Sequence, residues 1–161
     1  GISQGVQPII GFNFGAGKND RVKEAYIMAI KWNFVVSVIG FCLFQFFPQY
    51  IIALFGNGDE LYFEFAVMFM RTFLFMVIVN GVQVLSSNFF TAIGKAMNGL
   101  LLSLTRQVFF LIPLLLILPL FLGIFGVLLA GPVADFIAFV VSAALVRREF
   151  KRLSKTKTQT V

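Results

Sequence analysis

The chain has 161 residues, 59% of them hydrophobic and only 12% charged, with 22 phenylalanines and a formal net charge of +6. Soluble domains carry about 25% charged residues, so these polar side chains are too few to cover a water-facing surface, and a soluble globular or a disordered protein is excluded. The absence of histidine and the single cysteine, Cys42, also remove most metal, disulfide and histidine-dependent catalytic readings. What remains is an all-α integral membrane protein, or a piece of one.

The opening stretch Gly1 to Phe14 is apolar and about 21 Å long as a helix, whereas a bilayer crossing takes about 20 residues. It reads as the last part of a spanning helix. Residue 1 is Gly rather than Met and no signal-peptide pattern precedes the stretch, so the chain is expected to be a fragment. Gly15-Ala16-Gly17-Lys18-Asn19-Asp20 stops that helix and starts a loop. Arg21 to Lys31 alternates charged and apolar residues, as an interfacial lead-in does. Trp32 to Phe47 is an uncharged crossing, anchored by a tryptophan beside a lysine. Pro48 bends the chain, and Gln49 to Phe55 is expected to be a short helix at the far interface.

Gly56-Asn57-Gly58-Asp59-Glu60 forms the next turn. Leu61 to Arg71 leads in again, with Glu64 and Arg71 seven residues apart on one helical face. Thr72 to Ile93 is long enough to cross, and a loop follows at Gly94–Asn98. Asn98 to Val146 would be about 73 Å as one helix, against a hydrocarbon core of about 30 Å. It must fold back, and Gly123 with Gly126 marks the turn. This gives crossings at about Gly99–Leu122 and Gly126–Val146, with kinks expected at Pro113 and Pro119. The expected architecture is one partial and four complete transmembrane helices.

The charges test this map. If the crossings alternate, one side holds Lys18, Arg21, Lys23, Lys31, Lys95, Arg147, Arg148, Lys151, Arg152, Lys155 and Lys157, eleven of the thirteen basic residues. The loops of the other side hold Asp59 and Glu60. The positive-inside rule then places the basic side and the C-terminus in the cytoplasm. The basic tail, residues 147–161, is a topological determinant on this reading; an anionic-lipid contact is the alternative. Nucleic-acid binding is not needed to explain the charge. Cys42 lies mid-crossing as an apolar packing residue.

Two constellations carry polar chemistry. Asp135 is the only acid deep in a crossing, about 13 Å from Gly126 along the helix, and Arg106 lies about 12 Å from Asn98 in the antiparallel neighbour. Ionised groups at such depths face protein or water rather than lipid. These depths bring the two within reach of one another, as a structural or a coupling ion pair. The second constellation is Asn80, Gln83 and Ser87, which share one face by i, i+3, i+7 spacing, with Ser86 and Asn88 beside them. In a membrane such a face is interhelical glue or the lining of a wet cavity. Gln4, Gln7 and Asn13 in the first segment raise the same choice. The phenylalanines Phe41–Phe47 and Phe109–Phe110 offer π-faces to flat cations, although most of the 22 must face lipid or pack helices.

Taken in order, several stretches resemble one family. Gly1-Ile2-Ser3-Gln4-Gly5-Val6-Gln7-Pro8-Ile9-Ile10-Gly11-Phe12-Asn13-Phe14-Gly15-Ala16 followed by Lys18-Asn19-Asp20-Arg21-Val22 is similar to the end of the eighth helix of the MATE (multidrug and toxic compound extrusion) transporters. Gln83-Val84-Leu85-Ser86-Ser87-Asn88-Phe89-Phe90-Thr91-Ala92-Ile93-Gly94-Lys95 resembles their tenth helix. Leu104-Thr105-Arg106-Gln107 with Ile112-Pro113 resembles the eleventh, and Ala130-Gly131-Pro132-Val133-Ala134-Asp135 the twelfth. The wording is nearest the MepA-like branch.

The resemblance implies a twelve-helix transporter of two six-helix bundles, of which residues 1–161 would supply helices eight (in part) to twelve of the C-terminal bundle. It implies a multi-pass protein of the bacterial inner membrane with a cytoplasmic C-terminus. Such transporters export organic cationic drugs by alternating access, driven by Na⁺ or H⁺. The expected partners are small organic cations, the lipid bilayer and the missing N-terminal bundle, with no nucleic acid and no cofactor beyond the coupling ion. NorM-type relatives carry an aspartate where this sequence has Asn80, and a neutral amide supplies no charge there. The coupling-ion site is therefore expected in the N-terminal bundle. Gln4, Asn13, Asn80, Gln83 and Ser87 are left as cavity-lining candidates, and Arg106 with Asp135 as the ion pair. Two other readings stand beside export: a lipid-linked sugar flippase of the same superfamily, and a small membrane scaffold that transports nothing. An enzyme is not expected, because the crossings hold neither histidine nor an acid pair.

Overall fold

The computed structural model describes residues 1–56 and 58–158, with side chains described through residue 156; Asn57 of the predicted turn, the Lys157 side chain and the last three residues of the basic tail lie outside the described residues. Among the described residues, eight α-helices follow one another: α1 (Ile2–Gly15), α2 (Asn19–Phe46), α3 (Pro48–Ala53), α4 (Glu60–Phe73), α5 (Val77–Ala92), α6 (Ala96–Leu104), α7 (Ile112–Leu122) and α8 (Ile124–Thr158). A seven-residue π-helical segment, Thr105–Leu111, joins α6 to α7. Apolar runs of this length must satisfy their own backbone groups in lipid, and the helix does so within one segment.

Three stretches are long and apolar enough to cross a membrane: Asn19–Phe46, Ala96–Leu122 and Ile124–Thr156. A fourth is the pair α4 and α5, which meet at 49°. With α1 as a partial span, these are the crossings expected from the charge-free runs. The lead-in at Arg21–Lys31 is continuous with its crossing in α2, and Pro48 opens α3 in the first-turn position that tolerates a missing N–H.

The bend between α4 and α5 was not expected. Leu74-Phe75-Met76 contains neither Pro nor Gly, yet the Phe75 N–H turns to Thr72 O and leaves the Arg71 carbonyl without its helical donor. Gln45 of α2 replaces that donor, Nε2 to Arg71 O at 2.8 Å. A side chain from a neighbouring helix thus supports the break, one of the recognised causes of a sharp kink.

The irregularity expected at Pro113 takes the form of the π segment. Proline has no N–H to offer the preceding turn, and the Ile112 N–H reaches back five residues to Gln107 O. Both α1 and α5 end on a positive-φ glycine, Gly17 and Gly94, with Lys18 N–H on Asn13 O and Lys95 N–H on Phe90 O. These six-to-one bonds are Schellman closures.

Chain reversal between α7 and α8 occurs at Gly123, as the length argument requires. Gly126 then lets α8 pack directly on the α7 backbone: a Cβ there would collide with the Leu118 carbonyl carbon and oxygen. Neither atom can swing aside. Gly126→Ala is therefore expected to lower stability by about 1–3 kcal/mol, the usual range for overpacking, and unfolding of the purified protein in detergent would measure it.

A buried cluster lies at one end, and Leu128, Ala130, Ala134 and Ala138 are also buried along the other half of α8. Ile10, Val22, Tyr26, Ala29, Leu85, Phe89, Phe90, Ile93, Leu102, Val146 and Leu153 form one buried cluster. These residues come from the ends of α1, α2, α5, α6 and α8 nearest the basic loops. In contrast, α4 and α7 bury no residue. Helix α8 is the hub, touching α2, α4, α5, α6, α7 and the π segment.

Candidate functional site

The ion pair expected from helix depths is present. Arg106 Nε donates to Asp135 Oδ1 at 2.6 Å, and the two side chains are 21% and 7% exposed. Arg106 lies within the π segment and Asp135 near the middle of α8, so the bond ties the irregular part of one crossing to the hub of the bundle. π-Helical insertions are found frequently at functional sites. In a low-dielectric region a charge of either sign is costly alone and tolerable only when paired.

Asp135 also begins a pattern along α8. Asp135, Ser142 and Glu149 stand seven residues apart on one face, and all three are buried. Glu149 receives Lys95 Nζ at 2.6 Å, closing α8 against the loop between α5 and α6. The same end carries a further set of clamps. Asn19 Nδ2 donates to Leu153 O at 3.3 Å, Lys23 pairs with Ser154, and Tyr26 OH meets Ser86 Oγ at 2.9 Å. On the outside of this extension Arg147, Arg148, Lys151, Arg152 and Lys155 are exposed. The described part of the basic tail is thus a helix with one docked and one cationic face.

The polar face of α5 divides. Gln83 Nε2 donates to Leu102 O at 3.0 Å and Ser87 Oγ to Gly99 O at 2.7 Å, both across to α6. Ser87 also borders a groove of about 440 Å³ beside Thr91 and Gly99. Asn80 is partly buried, and its Oδ1 is fully enclosed with no partner among the described residues. In α1, Gln4 is exposed. Asn13 bonds Ile9 O of its own helix at 2.9 Å and borders an apolar groove of about 380 Å³ between α1 and α2. These five residues are therefore spread over at least three surroundings rather than gathered in one cavity.

Aromatic side chains converge away from the core. Phe65, Phe69 and Phe73 form a stripe on α4, Phe69 and Phe73 stacked with centroids 5.2 Å apart. With Tyr62, Phe55 and Ile52 they line a groove of about 520 Å³. Sequence reasoning missed Gln45, Asn33, Ser142 and Glu149. Only Glu149 carried a signal, as the lone acid in a run of bases.

Residues 1–117 match the family model MatE. Two characterised relatives align along nearly the whole chain. One is an FAD transporter of Shewanella oneidensis, 24% identical over 99% of this chain and 35% of that protein. The other is the multidrug export protein MepA of Staphylococcus aureus, 26% identical over 91% of this chain and 32% of that protein. Among solved structures, the MATE multidrug transporter DinF-BH superposes with a TM-score of 0.85 at 34% identity, covering 91% of this chain and 33% of that one. An outward-facing multidrug resistance MATE family transporter of the MOP superfamily superposes with a TM-score of 0.88 at 20% identity, over 96% of this chain and 34% of that one, a likeness of fold. The chain spans about a third of the length of each of these proteins.

Proposed function

The chain belongs to the MatE family, and we propose that it forms most of the second helical bundle of a transporter that exports small organic molecules across a bacterial cell membrane. The observation that carries this reading is the agreement of fold and sequence with a multidrug transporter along 91% of the chain. In the proposed cycle two bundles rock about a central cavity that opens to each side in turn. This chain supplies one wall. Its tightly clamped basic end, cytoplasmic by the positive-inside rule, acts as the rigid part of that wall, and the exposed faces of α4 and α7 meet lipid or the partner bundle. The driving Na⁺ or H⁺ binds in the other bundle, since Asn80 offers no charge where NorM-type relatives have an aspartate.

Organic cations are the first substrate class, because flat cations are attracted to aromatic faces and the stripe Phe65–Phe69–Phe73 presents such faces. Cells producing the full-length polypeptide that carries this sequence are expected to accumulate less of a fluorescent organic cation than empty-vector cells. Equal accumulation would refute drug export. A second reading has a specific basis. The relative named as an FAD transporter matches 99% of the chain, and Arg106 keeps a fifth of its side chain exposed beside its bond to Asp135. If the substrate is an anionic flavin nucleotide, the same cells export it while the cation is retained.

A further inference from the structure

Arg147, Arg148, Lys151, Arg152 and Lys155 carry positive charges that the fold leaves unmatched. All are exposed, and among the described residues none of them forms an ion pair. At about 3.6 residues per turn they fall within an arc of about 140° on α8. The buried Val146, Glu149 and Leu153 lie on the opposite side of the helix. Glu149 is the one acidic residue after Asp135, and it is turned away from the arc and held by Lys95.

A topological signal requires a count of charges on one side of the membrane, not an arrangement of them. Here the arrangement is fixed. The Lys95–Glu149 bond, the Asn19–Leu153 bond and the Lys23–Ser154 contact hold the docked side of α8 against α2 and the loop between α5 and α6. Lys23 Nζ also stands 5.9 Å from the centroid of Phe150, which brings another cation to the edge of the arc.

The arc continues into the membrane. Val133, Val140 and Ala144 fall on the same side of α8 and are exposed, so an apolar, outward face runs directly into the cationic one. Arg147 follows the last uncharged residue of the crossing. From there to Arg152 the helix rises about 7–8 Å, close to the depth of one headgroup layer, about 5–7 Å. Lys155 reaches down to that layer from the next turn, as long basic side chains do.

We propose that this arc binds anionic phospholipid of the cytoplasmic leaflet, with the headgroup phosphate on Arg148, Lys151 and their neighbours and the acyl chains along Val140 and Ala144. Charge complementarity selects the occupant. The cytoplasmic leaflet presents anionic headgroups at this level, and guanidinium groups bind phosphate oxygens in pairs. Another protein segment in the same place would have to bring a matching set of acids. The bound lipid anchors the clamped basic end to the leaflet, whatever molecule is exported.

Native mass spectrometry of the full-length protein tests the proposal. Protein in detergent is mixed with phosphatidylglycerol and phosphatidylcholine of identical acyl chains, and the retained lipids are counted. Each cation near an anionic surface gives about a fivefold preference, so Arg148→Gln with Lys151→Gln and Lys155→Gln is expected to lower the preference for phosphatidylglycerol by about tenfold or more. Lys18→Gln with Arg21→Gln and Lys31→Gln removes the same charge from exposed positions on the same side, and is expected to change the preference far less. A fall below about tenfold in the first triple variant, or an equal fall in the second, leaves only the general field of the basic side and overturns the site. Displacement of the lipid by soluble glycerol phosphate assigns the cations to a free phosphate and overturns it too. If the first triple variant does not fold, photo-cross-linking of the unmutated protein decides. A phosphatidylglycerol with a photoactivatable group is expected to label residues 133–155 more strongly than its phosphatidylcholine counterpart. Equal labelling by the two rejects the site, and no labelling there means that another segment of the polypeptide covers the arc, which rejects it as well.

Discussion

Asp135→Ala or Arg106→Ala is expected to destabilise the protein by about 3–5 kcal/mol, because each leaves a single charge stranded in an apolar interior. The double replacement Arg106→Met with Asp135→Leu is expected to cost less than either, since it removes both desolvation penalties and keeps the volume filled. The bond is short, 2.6 Å, and the carboxylate side chain is only 7% exposed, so Asp135 has no ready access to water once Arg106 is gone. Chemical unfolding in detergent of the unmutated protein, the two alanine variants and their alanine double closes the cycle, with the Met/Leu double measured beside it. Additive losses would mean that the contact contributes nothing of its own. Transport by the Met/Leu double separates two roles. If the pair only holds the π segment to α8, the apolar double variant keeps export; if charge at this depth takes part in coupling, export is lost while stability is kept.

This pair was legible in the sequence for a simple reason. Two opposite charges in otherwise uncharged crossings have few other places to go, and helical rise converts residue number into depth. The crossings themselves were legible on the same grounds, as was the reversal at Gly123, because a bilayer imposes a length that a sequence can be measured against. The bend at Leu74–Met76 was not. It depends on Gln45, 26 residues away in sequence, taking over a carbonyl that the local chain leaves free. No turn residue marks the spot. Ser142 escaped for the converse reason: it is a lone polar residue in the apolar run from Ile137 to Val146, and only packing buries it. Gln83 and Ser87 share a face, as their spacing required, but the spacing could not say that both would bond the backbone of α6.

Phe89→Ala is expected to cost about 3–5 kcal/mol, the range for emptying a buried aromatic site, whereas Phe121→Ala is expected to change stability by less than about 0.5 kcal/mol, as surface replacements do. Phe89 is 1% exposed and sits at the centre of an aromatic layer, with Tyr26, Phe90 and Phe150 rings all within 5.7 Å of its centroid. Tilted and edge-on pairs of this kind add to the burial of the rings themselves. Phe121, by contrast, is 81% exposed on α7, where lipid can replace any contact that is lost. The two residues are alike in type, each a phenylalanine in an uncharged crossing, and differ in what packs against them. In the proposed rocking cycle the clamped basic end moves as a unit, while α7, which buries no residue, exchanges its neighbours. Unfolding of the two variants in the same detergent tests that division. Comparable losses would mean that α7 is packed as tightly as the core, and the bundle would then have no loose end to reorganise.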